Sequence, residues 1–203
     1  MLLMIKANPK PVADSVCLTV GQAFLDAYKK ANPGDTITEL NLFDMYVPEV
    51  DGDMFNAWSA LQGGKSIGDL PKEQQKQLNA SNAILEQFMK HDKYVFVTPL
   101  WNLSYPARLK SYIDALCVAG KTFRYTENGP EGLIKGKKAL HIHASGGLHN
   151  GACADKHLRD ILSFIGIDDM ETLIAEGHAY DSNKAEEIIS KAKVKAAEVG
   201  TRF

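Results

Sequence analysis

Hydrophobic positions along the chain follow two periods. Short apolar runs such as Tyr94–Val97 are typical of strands that are buried on both faces of a sheet. Between these runs, apolar residues recur at helical spacing, and the first such segment ends at Asn32-Pro33-Gly34. The predicted strands are Leu2–Ile5, Thr36–Leu42, Tyr94–Val97, Ala139–Ala144 and Glu171–Ala175. The predicted helices run from Ser15 to the stop at Asn32 and over Lys72–Lys90, Ser104–Leu116, Asp155–Phe164 and Asn183–Val199.

Two stretches fit neither period. Residues 44–69 contain several prolines and glycines, which interrupt regular structure, and leave room for a short helix around Met54–Leu61. Residues Lys121–Lys135 predict a long loop or a hairpin. We find no internal repeat and no low-complexity tract in the sequence, so neither stretch divides the chain into repeated units.

The regular alternation of strands and helices predicts an α/β fold. Such an order implies a parallel sheet with helices on both faces. Five strands suit a doubly wound, flavodoxin-like sheet of strand order 2-1-3-4-5, formed by residues 1–203 as a single domain. In these sheets ligands bind beyond the carboxyl ends of the strands, at the point where the strand order reverses. This rule selects the loops that follow Ile5, Val97 and His143.

Composition and charge exclude several classes of function. The chain has 203 residues, 45% of them hydrophobic, and a formal net charge of −2, so it lacks the basic field of a nucleic-acid-binding protein. Its apolar start is too short for a signal peptide, and no apolar run approaches the ~20 residues of a membrane span. The 3 cysteines form no CxxC pair. A reduced, cytoplasmic setting is therefore expected.

The first selected loop, KANPKPVADSVC, leads into a helix at Ser15. Free N–H groups and the helix dipole make such a helix start attractive to anions. The Ser15 hydroxyl and the Asn8 amide would complete a phosphate cradle, although Ser15 also fits an ordinary helix cap. Neither GxGxxG nor a Walker A motif is present, because the first glycine that Gly63-Gly64-Lys65-Ser66 needs falls at Ser59.

The second selected loop, TPLWNLSYP, follows the most apolar strand. Pro99 biases Thr98 toward an extended conformation, which ends the strand. The backbone N–H groups of residues 100–103 are then expected to face the crevice unpaired, where a flat heteroaromatic ligand could accept their hydrogen bonds. The alternative is a plain helix entry in which Trp101 packs on the core.

The third selected loop, HASGGLHNGA, contains two adjacent glycines and a histidine. Gly146 and Gly147 allow close approach of the backbone to a ligand, and His149 offers a donor for a carbonyl or a developing negative charge. The alternative is a glycine turn with a surface histidine. His141 and His143 share one face of the strand, but the sequence shows no carboxylate or cysteine partner close to them, so no metal site is expected.

Together the three loops offer a phosphate site, a planar platform and a polarising corner around one crevice. This combination fits flavin mononucleotide (FMN) better than a dinucleotide. Cys117 and Cys153 have no partner that would make either a nucleophile, so structural thiols are expected there.

Three long motifs carry a family resemblance: TPLWNLSYPARLKSYID, AGKTFRYTENGPEGL and KKALHIHASGGLH. With them the chain resembles, essentially end to end, the FMN-dependent NADH:azoreductases, also described as NADH:quinone oxidoreductases. The resemblance implies a homodimer with one FMN per subunit at the interface. It also implies a ping-pong reaction in which NADH reduces the flavin and leaves before a quinone or azo compound binds. The alternatives are a flavodoxin-type electron carrier, a flavin-free regulatory protein and an FAD-using quinone reductase.

The resemblance also assigns roles to residues. The isoalloxazine ring would be lined by Pro99, Leu100, Trp101, Asn102 and Leu103. Its pyrimidine side would be approached by Ala144, Ser145, Gly146, Gly147 and His149. The phosphate would be held by Asn8, Ser15 and Cys17.

Within this set, Gly147 N–H and His149 are the candidates for stabilising negative charge on the reduced flavin. Cys17 stands where the family commonly has a second hydroxyl, and a thiol is the weaker donor. Tyr125 and Phe164 match positions that shape the substrate pocket, partly from the second subunit. The physiological acceptor, the choice between NADH and NADPH, and the substrate range set by Trp101 and Leu103 stay open.

Overall fold

The computed structural model describes residues 1–150 and 152–203, and this part of the chain contains seven strands and six α-helices. Gly151, in the third predicted loop, lies outside the described residues. The strands are β1 (Leu2–Lys6), β2 (Ile37–Asn41), β3 (Lys93–Pro99), β4 (Phe123–Thr126), β5 (Gly129–Gly132), β6 (Lys138–Ser145) and β7 (Asp169–Glu176). The helices are α1 (Val16–Ala31), α2 (Gly52–Gln62), α3 (Lys72–Met89), α4 (Ala107–Leu116), α5 (Ala152–Ile165) and α6 (Ala185–Arg202).

Five of the strands form a parallel sheet in the order β2-β1-β3-β6-β7, and β4 and β5 form a separate antiparallel pair. The predicted flavodoxin-like α/β sheet is therefore confirmed. The predicted numbering 2-1-3-4-5 is not that of the complete chain, because the hairpin strands β4 and β5 come before β6 in the sequence. The order reverses at β1 and β3, so the crevice predicted from the topology lies between their loops.

Helices cover both faces of the sheet because successive strand residues point to opposite sides. In β1, Leu3 and Ile5 join the core beneath α3, α4 and α5, whereas Leu2 and Met4 join the core beneath α1 and α6. All four residues are at most 2% exposed. The sheet is thus held rigidly from both sides, and the loops at its carboxyl edge start from fixed positions.

Several element boundaries differ from the predicted ones. Helix α4 begins at Ala107 and not at Ser104, because Trp101 and Ser104 pair in a turn and Pro106 precedes the helix. The short helix expected within residues 44–69 is α2, and the hairpin expected within residues 121–135 is β4–β5. None of the helices in the described part of the chain is both long and apolar enough to cross a membrane.

Candidate functional site

A crevice of about 200 Å³ opens at the carboxyl edge of the sheet. It brings together the loops that follow β1, β3 and β6, as predicted, and adds the loop that follows β7. The lining residues are Asn8, Lys10, Asp14, Ser15, Val16, Cys17, Pro99, Leu100, Trp101, Ala144, Gly146 and His178. Eight residues of the predicted cofactor site are in this set. Asn102, Leu103, Ser145, Gly147 and His149 lie in the same loops but are not among the lining residues.

At the first loop, the Ser15 side chain caps α1 by accepting a hydrogen bond from Leu18 N–H (3.4 Å). Asn8 Nδ2 donates to Ser15 Oγ (2.9 Å) and approaches Cys17 Sγ (3.5 Å). Ser15 Oγ and Cys17 Sγ lie 3.2 Å apart. The three predicted phosphate residues therefore form one buried hydrogen-bonded group at the amino end of a 16-residue helix, the end that attracts anions.

Cys17 is not an activated thiol. Burial raises its pKa, and the hydrogen bonds from Ser15 and Asn8 only partly oppose that effect. The thiol therefore stays neutral near pH 7. Lys10, which the sequence analysis did not select, lines the same end of the crevice and brings a positive charge to it. The signal for Lys10 was a basic residue inside a loop that had already been assigned to an anion.

The second loop is a tight turn closed by hydrogen bonds from Trp101 N–H to Ser104 O (2.7 Å) and from Ser104 N–H to Trp101 O (3.1 Å). Leu100 N–H donates to Ala144 O (2.8 Å). The expectation of four unpaired N–H groups is therefore wrong for two of them. In the described residues, the N–H groups of Asn102 and Leu103 have no hydrogen-bond acceptor, so these two remain available to a ligand.

The tip of this turn is strained. Asn102 has φ 50° and Leu103 has φ 67°, both in the left-handed region. Asparagine tolerates this conformation, whereas a bulky residue such as leucine holds it at a cost of roughly 1–3 kcal/mol. Leu103 is also 56% exposed, so the strain is not offset by burial in this chain. Strained backbone of this kind concentrates at binding sites.

Trp101 is 42% exposed and does not pack into the core, so the plain helix-entry alternative is wrong for its side chain. It rests edge-to-face on Phe43, with ring centroids 6.1 Å apart. The Arg108 guanidinium lies 5.4 Å from the Phe43 ring centroid and donates to the carbonyls of Leu42 and Met45. A stack that begins on α4 and passes through the loop after β2 thus supports the indole.

The third loop is fixed from β7. The Glu176 carboxylate accepts hydrogen bonds from His149 N–H (2.9 Å) and Asn150 N–H (2.7 Å). The His149 ring folds against Gly147, where a Cβ would lie 2.8 Å from His149 Nε2. Gly147 therefore permits the observed position of the ring. His149 itself is exposed, and its catalytic role stays a prediction.

His141 and His143 do have an acidic neighbour, contrary to the expectation from the sequence. His141 Nδ1 lies 2.9 Å from Asp155 Oδ1. The carboxylate comes from α5, 14 residues later, and the return of the chain to the sheet brings it beside the strand. The described residues hold no group of three or more His, Cys, Asp or Glu side chains that could bind a metal ion.

Tyr125 and Phe164 lie apart from the crevice of their own chain. Tyr125 is on the hairpin and is 74% exposed, and Phe164 packs against Phe123 with ring centroids 4.5 Å apart. Phe123 also contacts Tyr125, so the three rings form one aromatic group.

His178 lines the crevice although the sequence analysis did not select it. Burial lowers its pKa, and its Nδ1 has no hydrogen-bond partner among the described residues. The available signal was its position just beyond β7, at the carboxyl edge of the sheet.

Comparison with known proteins agrees with this geometry. A family model described as "Flavodoxin-like fold" (Flavodoxin_2) matches residues 1–199. FMN-dependent NADH:quinone oxidoreductase 3 of a Bacillus cereus strain is 45% identical over 208 residues, covering 100% of this chain and 99% of the relative. FMN-dependent NADH:quinone oxidoreductase 2 of Listeria innocua is 46% identical with the same coverage.

Solved structures are similar over the same length. The azoreductase from Bacillus anthracis str. Sterne has a TM-score of 0.91 and 40% identity, covering 100% of this chain and 99% of that one. An FMN-dependent NADH-azoreductase from Bacillus anthracis str. Ames Ancestor, in complex with FMN, has a TM-score of 0.92 and 34% identity, covering 99% and 97%. The chain therefore belongs to the flavodoxin-like family of FMN-dependent NADH:quinone oxidoreductases and azoreductases.

Proposed function

We propose that this protein is an FMN-dependent oxidoreductase that passes two electrons from NADH to quinones and aromatic azo compounds. The observation that carries the proposal is the crevice that joins a capped helix start to an exposed tryptophan at the switch point of the sheet. The relatives named for NADH:quinone oxidoreduction and the azoreductase solved with FMN support the same assignment.

The residues present fit FMN. The start of α1, with Asn8, Ser15 and the cationic Lys10, suits a phosphate. Pro99, Leu100 and Trp101 offer an apolar platform for a flat ring, and the available N–H groups of the turn tip suit its heteroatoms. When bound, FMN supplies the redox chemistry, accepting hydride from NADH and releasing two electrons to the acceptor in a separate, ping-pong half-reaction.

The chain's own contribution is binding and charge stabilisation. Gly147 N–H and His149 are the proposed donors for negative charge at the pyrimidine side of the ring. Glu176 supports this assignment because it anchors the backbone of the third loop beside His149. Asn102 and Leu103 are proposed to contact the ring through backbone N–H groups, and Ser145 is proposed to contribute from the end of β6.

The proposal is tested with the purified protein. We expect a yellow protein that releases FMN on denaturation and oxidises NADH steadily when a quinone is added, without any partner reductase. A flavodoxin-type carrier would be yellow but would need a partner reductase for the same turnover. Chromatography of the released flavin separates FMN from FAD. A colourless protein that does not take up added FMN would refute the proposal.

His149→Ala provides a test of the proposed charge stabilisation. We expect NADH to reduce the bound flavin about 10- to 100-fold more slowly, because one donor aimed at developing charge is lost. FMN affinity should change by less than about threefold, since the exposed ring contributes little binding area. Stopped-flow reduction and FMN titration measure the two effects separately. A larger effect on affinity than on reduction rate would assign His149 to structure.

We also propose that the protein acts as a homodimer, formed by chains that each fold as one FMN-binding domain over residues 1–203. Tyr125 and Phe164 lie away from their own crevice, so a role in the substrate pocket requires that they serve the site of a second copy. Exposed apolar side chains near the crevice, such as Leu103 and Leu148, would be covered by the same contact. A cytoplasmic setting stays a prediction from the three unpaired cysteines.

A further inference from the structure

Four side chains below the crevice form a continuous hydrogen-bonded chain. His141 Nδ1 lies 2.9 Å from Asp155 Oδ1, and His141 Nε2 lies 2.9 Å from Thr98 Oγ1. The same Thr98 oxygen lies 3.0 Å from His143 Nδ1. Thr98, His141 and His143 are each 0% exposed. Nothing in the proposed reaction uses these three polar residues.

The chemistry of the four groups sets the direction of the hydrogen bonds. Burial alone would raise the pKa of Asp155, but hydrogen bonds from His141 and Thr172 lower it overall, so the group is an ionised acceptor. His141 Nδ1 must then carry a hydrogen, and in neutral His141 the Nε2 atom accepts. The single hydrogen of the Thr98 hydroxyl therefore points to His141.

It follows that Thr98 Oγ1 accepts from His143, so the hydrogen of His143 is on Nδ1. His143 Nε2 is left as an acceptor, and it is buried without a partner among the described residues. Burial, then the nearby His141, lowers the pKa of His143 to about 4, which keeps its ring neutral at pH 7. The other charged groups that act on His143 are Glu176, Asp155 and His149.

The position of this chain connects it to the crevice. Thr98 and His143 are direct partners in the β3–β6 ladder, and the next pair along is Pro99 and Ala144, which line the crevice. His141 pairs across β6–β7 with Thr172, which also donates to Asp155 (2.7 Å). Buried polar groups are costly compared with apolar residues of similar size, so their presence directly beneath two ligand loops calls for a role.

We infer that Thr98 is a positioning residue for the cofactor crevice. Its hydroxyl joins His141 to His143, holds the ends of β3 and β6 together where the second and third loops begin, and keeps His143 in the Nδ1–H tautomer. The inference rests on the proposed function insofar as FMN is the ligand that the two loops bind. The tautomer itself is a property of the protein without cofactor.

The direct test is the ¹⁵N NMR spectrum of the histidine side chains in FMN-free wild-type protein at about pH 8, where an unperturbed His is neutral. We expect His143 to show protonated Nδ1 and unprotonated Nε2. His143→Gln assigns its signals. A wild-type His143 protonated on Nε2 overturns the inference, whatever the variants below do.

Three threonine variants test the link to the crevice. Thr98→Val keeps the shape of the side chain and leaves two imidazole nitrogens without a partner, so we expect FMN to bind about tenfold or more weakly. Thr98→Ser restores the hydroxyl and should bind FMN within about twofold of wild type. Thr172→Val is the matched control: it removes a hydroxyl from the same sheet and the same Asp155, but leaves the Asp155-to-His143 chain complete.

The outcomes separate the inference from its neighbours. If Thr98→Val and Thr172→Val weaken FMN binding equally, or neither does, Thr98 has no special positioning role. If Thr98→Val does not fold, Thr98→Ser and the wild-type tautomer still decide the question, because Thr98→Ser must retain the Nδ1–H form of His143. If wild-type protein fails to bind FMN, the proposed function fails, whereas the assignment of the tautomer stands or falls by its own spectrum.

Discussion

Ser15→Asp is expected to weaken FMN binding by about 100-fold or more while the fold keeps its stability. Ser15 caps α1 at the end of the crevice where the phosphate is proposed to bind. Two charges about 4 Å apart near a protein surface interact with about 4 kcal/mol, so a carboxylate there strongly repels a phosphate. Aspartate is as good a helix cap as serine, so α1 itself should be unaffected.

Ser15→Asn is the matched control because asparagine has nearly the size of aspartate, caps helices equally well and carries no charge. Fluorescence titration gives FMN affinity for both variants, and thermal unfolding of the FMN-free proteins gives their stability. The gap between the two variants should narrow at high salt, since screening weakens the repulsion. Riboflavin, which lacks the phosphate, should not distinguish them. Equal FMN affinity for Asp and Asn would place the phosphate elsewhere.

The sequence was sufficient to locate the crevice because topology, and not a motif, determines where it lies. Strands buried on both faces leave a plain hydrophobic signal, and the carboxyl ends of parallel strands meet at one edge. Ser15, Trp101 and Gly146 come from distant parts of the chain, yet each lies in a loop that follows a predicted strand. The observed crevice accordingly contains all three.

What the sequence could not supply were contacts made by tertiary structure. Phe43 follows β2, outside the three loops selected by the switch-point rule, and only the folded chain shows that it supports Trp101. The turn that uses Trp101 N–H depends on Ser104, and the pairing of His141 with Asp155 depends on how α5 returns to the sheet. None of these has a periodic signature, since each joins single residues across different elements.

Gly200→Ala is expected to cause a large loss of stability although it adds only one methyl group. Gly200 is buried on α6 where that helix crosses α1. A Cβ at this position would lie 2.4 Å from the Phe24 carbonyl oxygen and 3.2 Å from Ala27 Cβ. The nearest obstacle is helix backbone, which cannot rotate away as a side chain does, so α1 and α6 must separate.

We expect a loss of about 3 kcal/mol, at the upper end of the usual cost of overpacking. For a domain of about 200 residues this lowers the melting temperature by roughly 6–12 °C. Because α1 carries the Ser15 cap at its other end, FMN affinity should fall as well. Calorimetry or circular dichroism of the FMN-free protein measures the stability, which must be compared without ligand because bound FMN would mask part of the loss.

Gly52→Ala is the control that makes this result specific. Gly52 is also a helical glycine, the first residue of α2, but a Cβ there would meet nothing within 4 Å. Alanine restricts the unfolded chain more than glycine does, so Gly52→Ala should be neutral or stabilising by up to about 1 kcal/mol. The two substitutions add the same methyl group with opposite expected signs, so the difference between them measures the closeness of the two helices. If both variants melt at the wild-type temperature, α1 and α6 do not approach closely at Gly200, and the support of the phosphate end of the crevice must come from the loop itself.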